Sequence, residues 1–300
     1  MITTKTLTMI YEKKPPYTDH DRLFKELIQK FFEEFIEAFF PSVHMEINFS
    51  SVIFLDQEVF TDVTVGEKRR IDILAEVNLK GKDQIIHIHV EPQASYEKDF
   101  HERMFIYYSR LYEKHRKPIL PIAVFSYNDK RDVLEKFTID VPGLQVIDFR
   151  FLQLHLKKKD WRKYLKSDNP AAAALLSKMG YSKKERVQVK FEFFRMISRM
   201  ELDEAKITLL LGFFETYLKL DEEEEIELQE KMEHLQEDEA KFLHRLPNSY
   251  FEKGMEEGIE RGKQKIAKKL LLKNMPKADI ADVTELSPEE IEKIAENTER

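Results

Sequence analysis

Two runs of alternating residues constrain this chain more than any other feature: "RRIDILAEV" at 69–77 and "IIHIHVEPQ" at 85–93. Strand side chains point to opposite faces with period 2. In the second run Ile86, Ile88 and Val90 share one face, while His87, His89, Glu91 and Gln93 share the other. In the first run Ile71, Ile73, Ala75 and Val77 lie on one face, and Arg70, Asp72, Leu74 and Glu76 on the other. The linker holds Gly81-Lys82, which suits a two-residue hairpin turn with glycine at its first central position. That turn predicts a register in which facing residues have numbers summing to 163. Asp72 then opposes Glu91, Arg70 opposes Gln93, and Glu76 opposes His87.

The register carries a chemical consequence. Directly opposed residues have Cβ atoms roughly 4.5–5.5 Å apart. Two carboxylates that close repel each other unless a proton or a cation lies between them. A hard divalent cation with oxygen ligands, most simply Mg²⁺, answers that repulsion, and Asp72 and Glu91 are the candidate ligands. The plainer reading is a pair of like charges at a solvated hairpin end. Two features weigh against it: Asp72 is flanked by apolar residues, and Pro92 directly follows Glu91. Proline leaves a strand ladder at an edge or a bulge, and bulges re-aim side chains beside active sites. His87-x-His89 could instead bind Zn²⁺. No third ligand at matching spacing accompanies it, so His89 reads as a polar supporter of the carboxylates.

Around this hairpin the pattern alternates between helix and strand. Phe24, Leu27, Ile28, Phe31, Phe35 and Phe39 recur at helical spacing, with Thr18 or Asp19 as cap and Pro41 as stop. "MEINFSSVIFL" (45–55) and a short run near 59–63 read as strands. Residues 97–117 read as a helix ended by Pro118, "ILPIAVFSY" (119–127) as a buried strand, and "VPGLQVIDFRFLQL" (141–154) as a last strand. The expected fold class of this half is α/β or α+β. From about 160 the chain reads as amphipathic helices, including an acidic run from Asp221 that suits a solvated helix face. Ser287-Pro288-Glu289-Glu290 is a capping box with proline at the first helical position. The expected division is 1–155, a helical region 156–248, and a charged helix with a small helical tail over 249–300.

Composition narrows the function classes. There is no cysteine among 300 residues, which removes disulfides, thiolate metal sites and cysteine nucleophiles and suits a cytoplasmic protein. No apolar run follows a basic start at the N-terminus, so no signal peptide is expected. No stretch of 18 uninterrupted apolar residues exists, so no membrane partner is expected. A net charge of −7 is unlike that of a nucleic-acid coat protein, although binding depends on the local field.

An Asp, a hairpin and then Glu-x-Gln resembles the core of PD-(D/E)XK nucleases, with glutamine where lysine usually stands. The blocks "HDRLFKELI" (20–28), "FLDQEVF" (54–60), "RRIDILAEV", "VEPQAS", "DFHERMFIYYSRLYEKH" (99–115) and "PILPIAVFSYN" (118–128) come in an order similar to that of the Rpn family. That family comprises the recombination-promoting nucleases, also known as putative transposases. The resemblance covers about residues 18–150, and "GIERGKQKIAKKLL" and "IADVTELSPEEIEKI" resemble tails found in the group. It implies a PD-(D/E)XK, restriction-endonuclease-like core with Asp72 and Glu91 as Mg²⁺ ligands, Mn²⁺ being an alternative. Gln93 takes the place of the lysine, and Glu26 on the first helix is a candidate assisting carboxylate. The implied chemistry is metal-dependent hydrolysis of DNA phosphodiester bonds. Lys98, Arg103 and Arg110 are candidate DNA-phosphate contacts, which set position and not sequence.

Two other readings compete with the nuclease. The tail could be a DNA-binding helix-turn-helix, but its second helix carries Glu289, Glu290, Glu292 and Glu296 against Lys293 alone. Phosphate would repel such a helix, and a module for homo-oligomerisation fits it better. The net charge and the missing lysine also suit a nuclease-like fold kept for binding without catalysis.

Overall fold

The computed structural model describes residues 20–55, 59–61, 68–70, 72–128 and 131–232. Toward the C-terminus it describes residues 235, 239, 263–264, 266–273, 275–284 and 286–296. The chain divides into two units: residues 1–164 with 178–180, and residues 165–177 with 181–300. The expected cap at Thr18 or Asp19 lies outside the described residues.

The first unit is α+β. Helices α1 (His20–Lys30) and α2 (Phe32–Phe39) replace the single expected helix, with the break at Phe31. The aromatic stripe is buried as expected: Phe24, Leu27, Ile28, Phe31, Phe35 and Phe39 all lie in the core. Each such side chain stabilises the fold by about 1.5–3 kcal/mol through burial. Pro41 does not stop the helical region. It opens a further short helix, α3 (Pro41–Glu46), because proline at the first helical position gives up an N–H that has no partner there.

A five-stranded sheet follows, with strand order β1-β4-β5-β6-β9. Its strands are β1 (Ile47–Phe54), β4 (Ile73–Leu79), β5 (Ile85–Gln93), β6 (Ile119–Phe125) and β9 (Leu152–His155). β1, β4 and β5 are antiparallel neighbours, and β5, β6 and β9 run parallel. A parallel step from β5 to β6 requires a long crossover, which α4 (Phe100–His115) supplies. Helix α1 lies against β5. On α4, Phe100 and Met104 pack with Ala123, Phe125, Phe149 and Phe151. The helix ends at Arg116 in the left-handed region (φ 53°), whose N–H donates to the Tyr112 carbonyl at 2.9 Å.

Two expected strands are each two elements. "RRIDILAEV" is divided: β3 (Lys68–Arg70) pairs with β2 (Val59–Thr61) in a separate ladder, and β4 begins only at Ile73. The run 141–154 is divided between β8 (Leu144–Arg150) and β9. β8 pairs with β7 (Lys136–Val141) in a hairpin turned by Gly143 at φ +83°, and the chain then enters the main sheet beyond the buried Phe151. A continuous apolar run hides such a change of sheet, because both pieces have the same strand chemistry.

The second unit is helical. Helix α5 (Pro170–Leu175) is capped by Asn169, whose Oδ1 accepts from Ala172 N at 2.9 Å, and Ala171–Ala174 are buried. Helices α6 (Arg186–Ser198), α7 (Glu204–Tyr217) and α8 (Glu222–Met232) follow, with Phe193 and Phe214 stacked at 4.0 Å. The acidic run is not simply a solvated face. Glu224 pairs with Arg186 at 2.8 Å, and buried Lys190 pairs with Glu215 and Glu225, both at 2.8 Å. A buried ammonium needs such carboxylates to offset its lost hydration. In the tail, α9 (Lys277–Thr284) and α10 (Pro288–Glu296) bury Ile280, Leu286 and Ile291 with Ala267. The expected capping box forms, with Ser287 N donating to Glu290 Oε2 at 2.9 Å and Glu290 N donating to Ser287 Oγ at 3.3 Å. The "GMEEGIERG" stretch lies outside the described residues.

Gly180 gives a test of the first unit's packing. A Cβ at this position would stand 2.6 Å from the Lys157 carbonyl oxygen and 3.2 Å from that of Lys159. Both are backbone atoms and cannot swing aside. Gly180→Ala is expected to lower stability by about 1–3 kcal/mol in urea unfolding, and an unchanged midpoint would show that this backbone yields.

Candidate active site

The hairpin that carries the candidate residues has the expected register. β4 and β5 pair from Ile73–Val90 to Asn78–Ile85, and Glu76 stands opposite His87. Gly81 takes φ +68°, which costs glycine nothing sterically, but as the second central residue of the turn that Lys82 N closes on the Leu79 carbonyl at 3.4 Å, not as the first central residue expected. The ladder stops at Ile73–Val90, so Asp72 lies one residue beyond it and is half-buried. Continuing the register one step outward from that pair leads to Asp72 on one strand and Glu91 on the other. Arg70 is not part of this ladder, because it pairs with Val59.

Pro92 explains where the ladder ends. On β5, His87 N donates to Pro118 O at 2.8 Å and Gln93 O accepts from Ser126 N at 3.0 Å, so odd-numbered residues bond toward β6. Even-numbered residues therefore turn their backbone groups toward β4. Proline has no N–H, and Pro92 falls at the first even position past Val90. Of the edge or bulge expected at the proline, no register shift appears between Ile73–Val90 and Asn78–Ile85, and the missing donor marks the end of the antiparallel pairing.

The polar face of β5 is buried along its whole length: His87, His89, Glu91 and Gln93 are each at most 9% exposed. Such groups must find partners. Helix α4 lies over this face with residues spaced four apart, of which Arg103 supplies polar partners and His115 and Tyr107 ring contacts, while His87 Nδ1 and His89 Nδ1 have no hydrogen-bond partner among the described residues. His115 meets His87 ring to ring at 4.8 Å, Tyr107 meets His89 at 6.0 Å, and Arg103 reaches Glu91 and Gln93. Between them Leu111 packs with Tyr107 and Leu74. Four helical residues rise about 6 Å and two strand residues advance about 6.6 Å, so the helix from Arg103 to His115 covers about the length of strand from Gln93 to His87.

Each polar group has a defined contact. His87 Nε2 lies 3.1 Å from Glu76 Oε2 across the hairpin. His89 Nε2 lies 3.3 Å from Glu91 Oε2. A carboxylate only accepts, so Nε2 carries the proton in both contacts. Arg103 Nη2 donates to Gln93 Oε1 at 2.6 Å and stands 3.6 Å from Glu91 Oε1, while its Nη1 pairs with Glu97. Gln93 Nε2 donates to the Ser95 carbonyl at 2.8 Å. The amide orientation is unambiguous, because a guanidinium accepts nothing and a carbonyl donates nothing.

The sequence-derived residues thus separate into two groups. His89, Glu91 and Gln93 are joined in one buried network, and Arg103 belongs to it too. Its guanidinium is turned to these partners, with the side chain 17% exposed. Glu26 is exposed and pairs with Arg22 at 3.8 Å, with no hydrogen bond or ion pair to the hairpin residues. Lys98 is exposed, and Arg110 is half-buried on α4. Arg103's ties to Glu91 and Gln93 and the His87–His115 contact were missed in the sequence. The signal was present in the four-residue spacing of Arg103, Tyr107, Leu111 and His115, which matches the two-residue spacing of β5.

The donor set suits a hard cation better than zinc. Both histidines of the His-x-His pair are turned to carboxylates, and among the described residues no group of three or more His, Cys, Asp or Glu could hold a metal ion. Mg²⁺ is commonly held by one or two carboxylates, with water and substrate phosphate completing its shell. Asp72 and Glu91 are the candidate carboxylates of that kind.

The fold and site define an α+β domain with a buried acidic network where an antiparallel pair gives way to a parallel one. Residues 18–131 match the family model described as "Putative transposase, YhgA-like". The match spans the ordered blocks from His20 to Asn128 on which the family resemblance rests. Comparison with the curated proteins and with the solved structures gave no match. Among the described residues no helix is long and apolar enough to cross a membrane.

The network predicts unequal costs for breaking it. Arg103→Met strands Glu91, buried, without its counter-charge and is expected to cost about 3 kcal/mol. Glu97 is 37% exposed at its side chain, and Glu97→Gln is expected to cost less than about 1 kcal/mol. Denaturant unfolding of the two variants checks this, and equal losses would mean that Arg103 serves chiefly Glu97.

Proposed function

We propose that the N-terminal unit is a metal-dependent endonuclease that hydrolyses DNA phosphodiester bonds, with Asp72 and Glu91 as the ligands of Mg²⁺ or Mn²⁺. The observation that carries this reading is the hairpin register, in which the ladder ends one step before these two residues. The family match over 18–131 supports an action on DNA, and the Asp, hairpin, Glu-x-Gln order supports a PD-(D/E)XK core. The bound cation would supply Lewis-acid polarisation of the phosphoryl oxygen and acidify a water molecule.

The chain's own groups have separate tasks in this reading. Asp72 and Glu91 present carboxylate oxygens. His89 donates to Glu91 Oε2 and fixes the carboxylate's rotation, as second partners of metal-binding groups generally do. Gln93 spends one amide N–H on the Ser95 carbonyl and retains a second that can orient a water. The burial of this face keeps competing water away from the carboxylates and strengthens every interaction there.

Supercoiled plasmid incubated with the purified protein and Mg²⁺, Mn²⁺ or Ca²⁺ tests the proposal. Nicking is expected with Mg²⁺ or Mn²⁺ and is expected to disappear in Asp72→Ala and Glu91→Ala. Absence of nicking by folded wild type under every metal would favour the competing reading, a nuclease-like module that binds without cleaving. The glutamine at 93 is the observation behind that alternative.

A further inference from the structure

We infer that Arg103 supplies, from helix α4, the positive charge that lysine would supply from strand β5, and that Gln93 serves mainly to hold Arg103 in place. The inference rests on the nuclease reading above and assigns a role to a side chain outside the Asp, Glu-x-Gln pattern. Its observations are geometric. Arg103 Nη2 is 2.6 Å from Gln93 Oε1 and 3.6 Å from Glu91 Oε1, so one guanidinium nitrogen faces both motif residues. The Arg103 side chain is 17% exposed, so its charge is only partly screened by solvent.

The guanidinium is held on several sides. Glu97 takes Nη1, Gln93 takes Nη2, and the Phe100 ring lies under the carbon at 4.8 Å. Its Nε is buried with no hydrogen-bond partner in the protein. A planar fork held in this way keeps its orientation, whereas an ammonium on a flexible stem does not. Gln93 completes the arrangement because Oε1 accepts from Arg103 while Nε2 donates to the Ser95 carbonyl at 2.8 Å. A neutral acceptor is what a neighbouring guanidinium requires, and a lysine at 93 would set two cations against each other. In this arrangement Arg103 is a positioning and charge-bearing residue that acts on Glu91 and on the phosphate brought beside it.

The test compares Arg103→Met, Arg103→Lys and the double variant Gln93→Lys/Arg103→Met, each at a temperature where circular dichroism shows it folded. With duplex DNA and Mn²⁺, Arg103→Met is expected to lose about a hundredfold in kcat with KM little changed. Arg103→Lys keeps the charge and is expected to lose less, and the double variant to regain at least about tenfold over Arg103→Met. Calorimetric titration with Mn²⁺ gives a readout independent of cleavage. Removing a cation beside Glu91 is expected to tighten Mn²⁺ binding several-fold in Arg103→Met. Cleavage by Arg103→Met within about threefold of wild type, a failure of Gln93→Lys to rescue it, or unchanged Mn²⁺ affinity would each overturn the inference while leaving the nuclease reading intact. Wild type that neither binds Mn²⁺ nor cleaves DNA would overturn both.

Discussion

The first unit depends on the burial of a polar face on its most central strand. β5 has β4 on one side and β6 on the other, with α1 against it and the α4 stripe over its polar side chains. Four consecutive outward positions on that strand carry polar groups, and each would cost several kcal/mol if buried without a partner. The fold offsets part of this cost with a helix of matching length. From Arg103 to His115 it covers about the length of strand from Gln93 to His87. Histidine rings therefore meet aromatic rings at one end, and a carboxylate and an amide meet a guanidinium at the other. A purely apolar α4 stripe would leave Glu91 without its arginine.

The sheet also determines where that network opens. Antiparallel pairing between β4 and β5 ends at Ile73–Val90, and Pro92 offers no donor with which to continue it. Parallel pairing with β6 continues through Gln93 to Phe125, and Ser126 adds a backbone bond and an Oγ contact to the Gln93 carbonyl. β5 is thus held firmly on one side at the point where it loses its partner on the other. Side chains at 91 and 93 are fixed by the rigid side, and the register carried one step past Ile73–Val90 leads to Asp72.

The hairpin register was legible in the sequence because period-2 alternation and a glycine turn signal agree on it, although Gly81 is the second central residue of the turn and not the first. The aromatic stripe of α1 and α2 was legible for the same reason. Legibility failed where a property depends on partners distant in the chain. Nothing local distinguishes Asp72 as lying outside the ladder that begins at Ile73, or Phe151 as a change of sheet, because strand propensity is continuous through both. Glu26 illustrates the same limit, since its position on a helix face could be read but not whether that face turns to solvent. Arg103 was visible as a cation on this helix, but its ties to Glu91 and Gln93, ten and more residues upstream, were not.

The glutamine at 93 is better understood as half of a pair than as a missing lysine. An ammonium at that buried position would need a carboxylate nearby, and Glu91 is the obvious one. In this chain Glu91 Oε1 already has the Arg103 guanidinium at 3.6 Å. Adding a second cation would place two like charges in a site with little water to screen them. Glutamine avoids that repulsion and also gives Arg103 an acceptor at 2.6 Å, while its amide N–H ties the strand end to Ser95. The positive charge beside Glu91 comes from the helix, and Gln93 on the strand accepts from it. An argument from the absent lysine alone toward an inert fold therefore overlooks the charge that α4 provides.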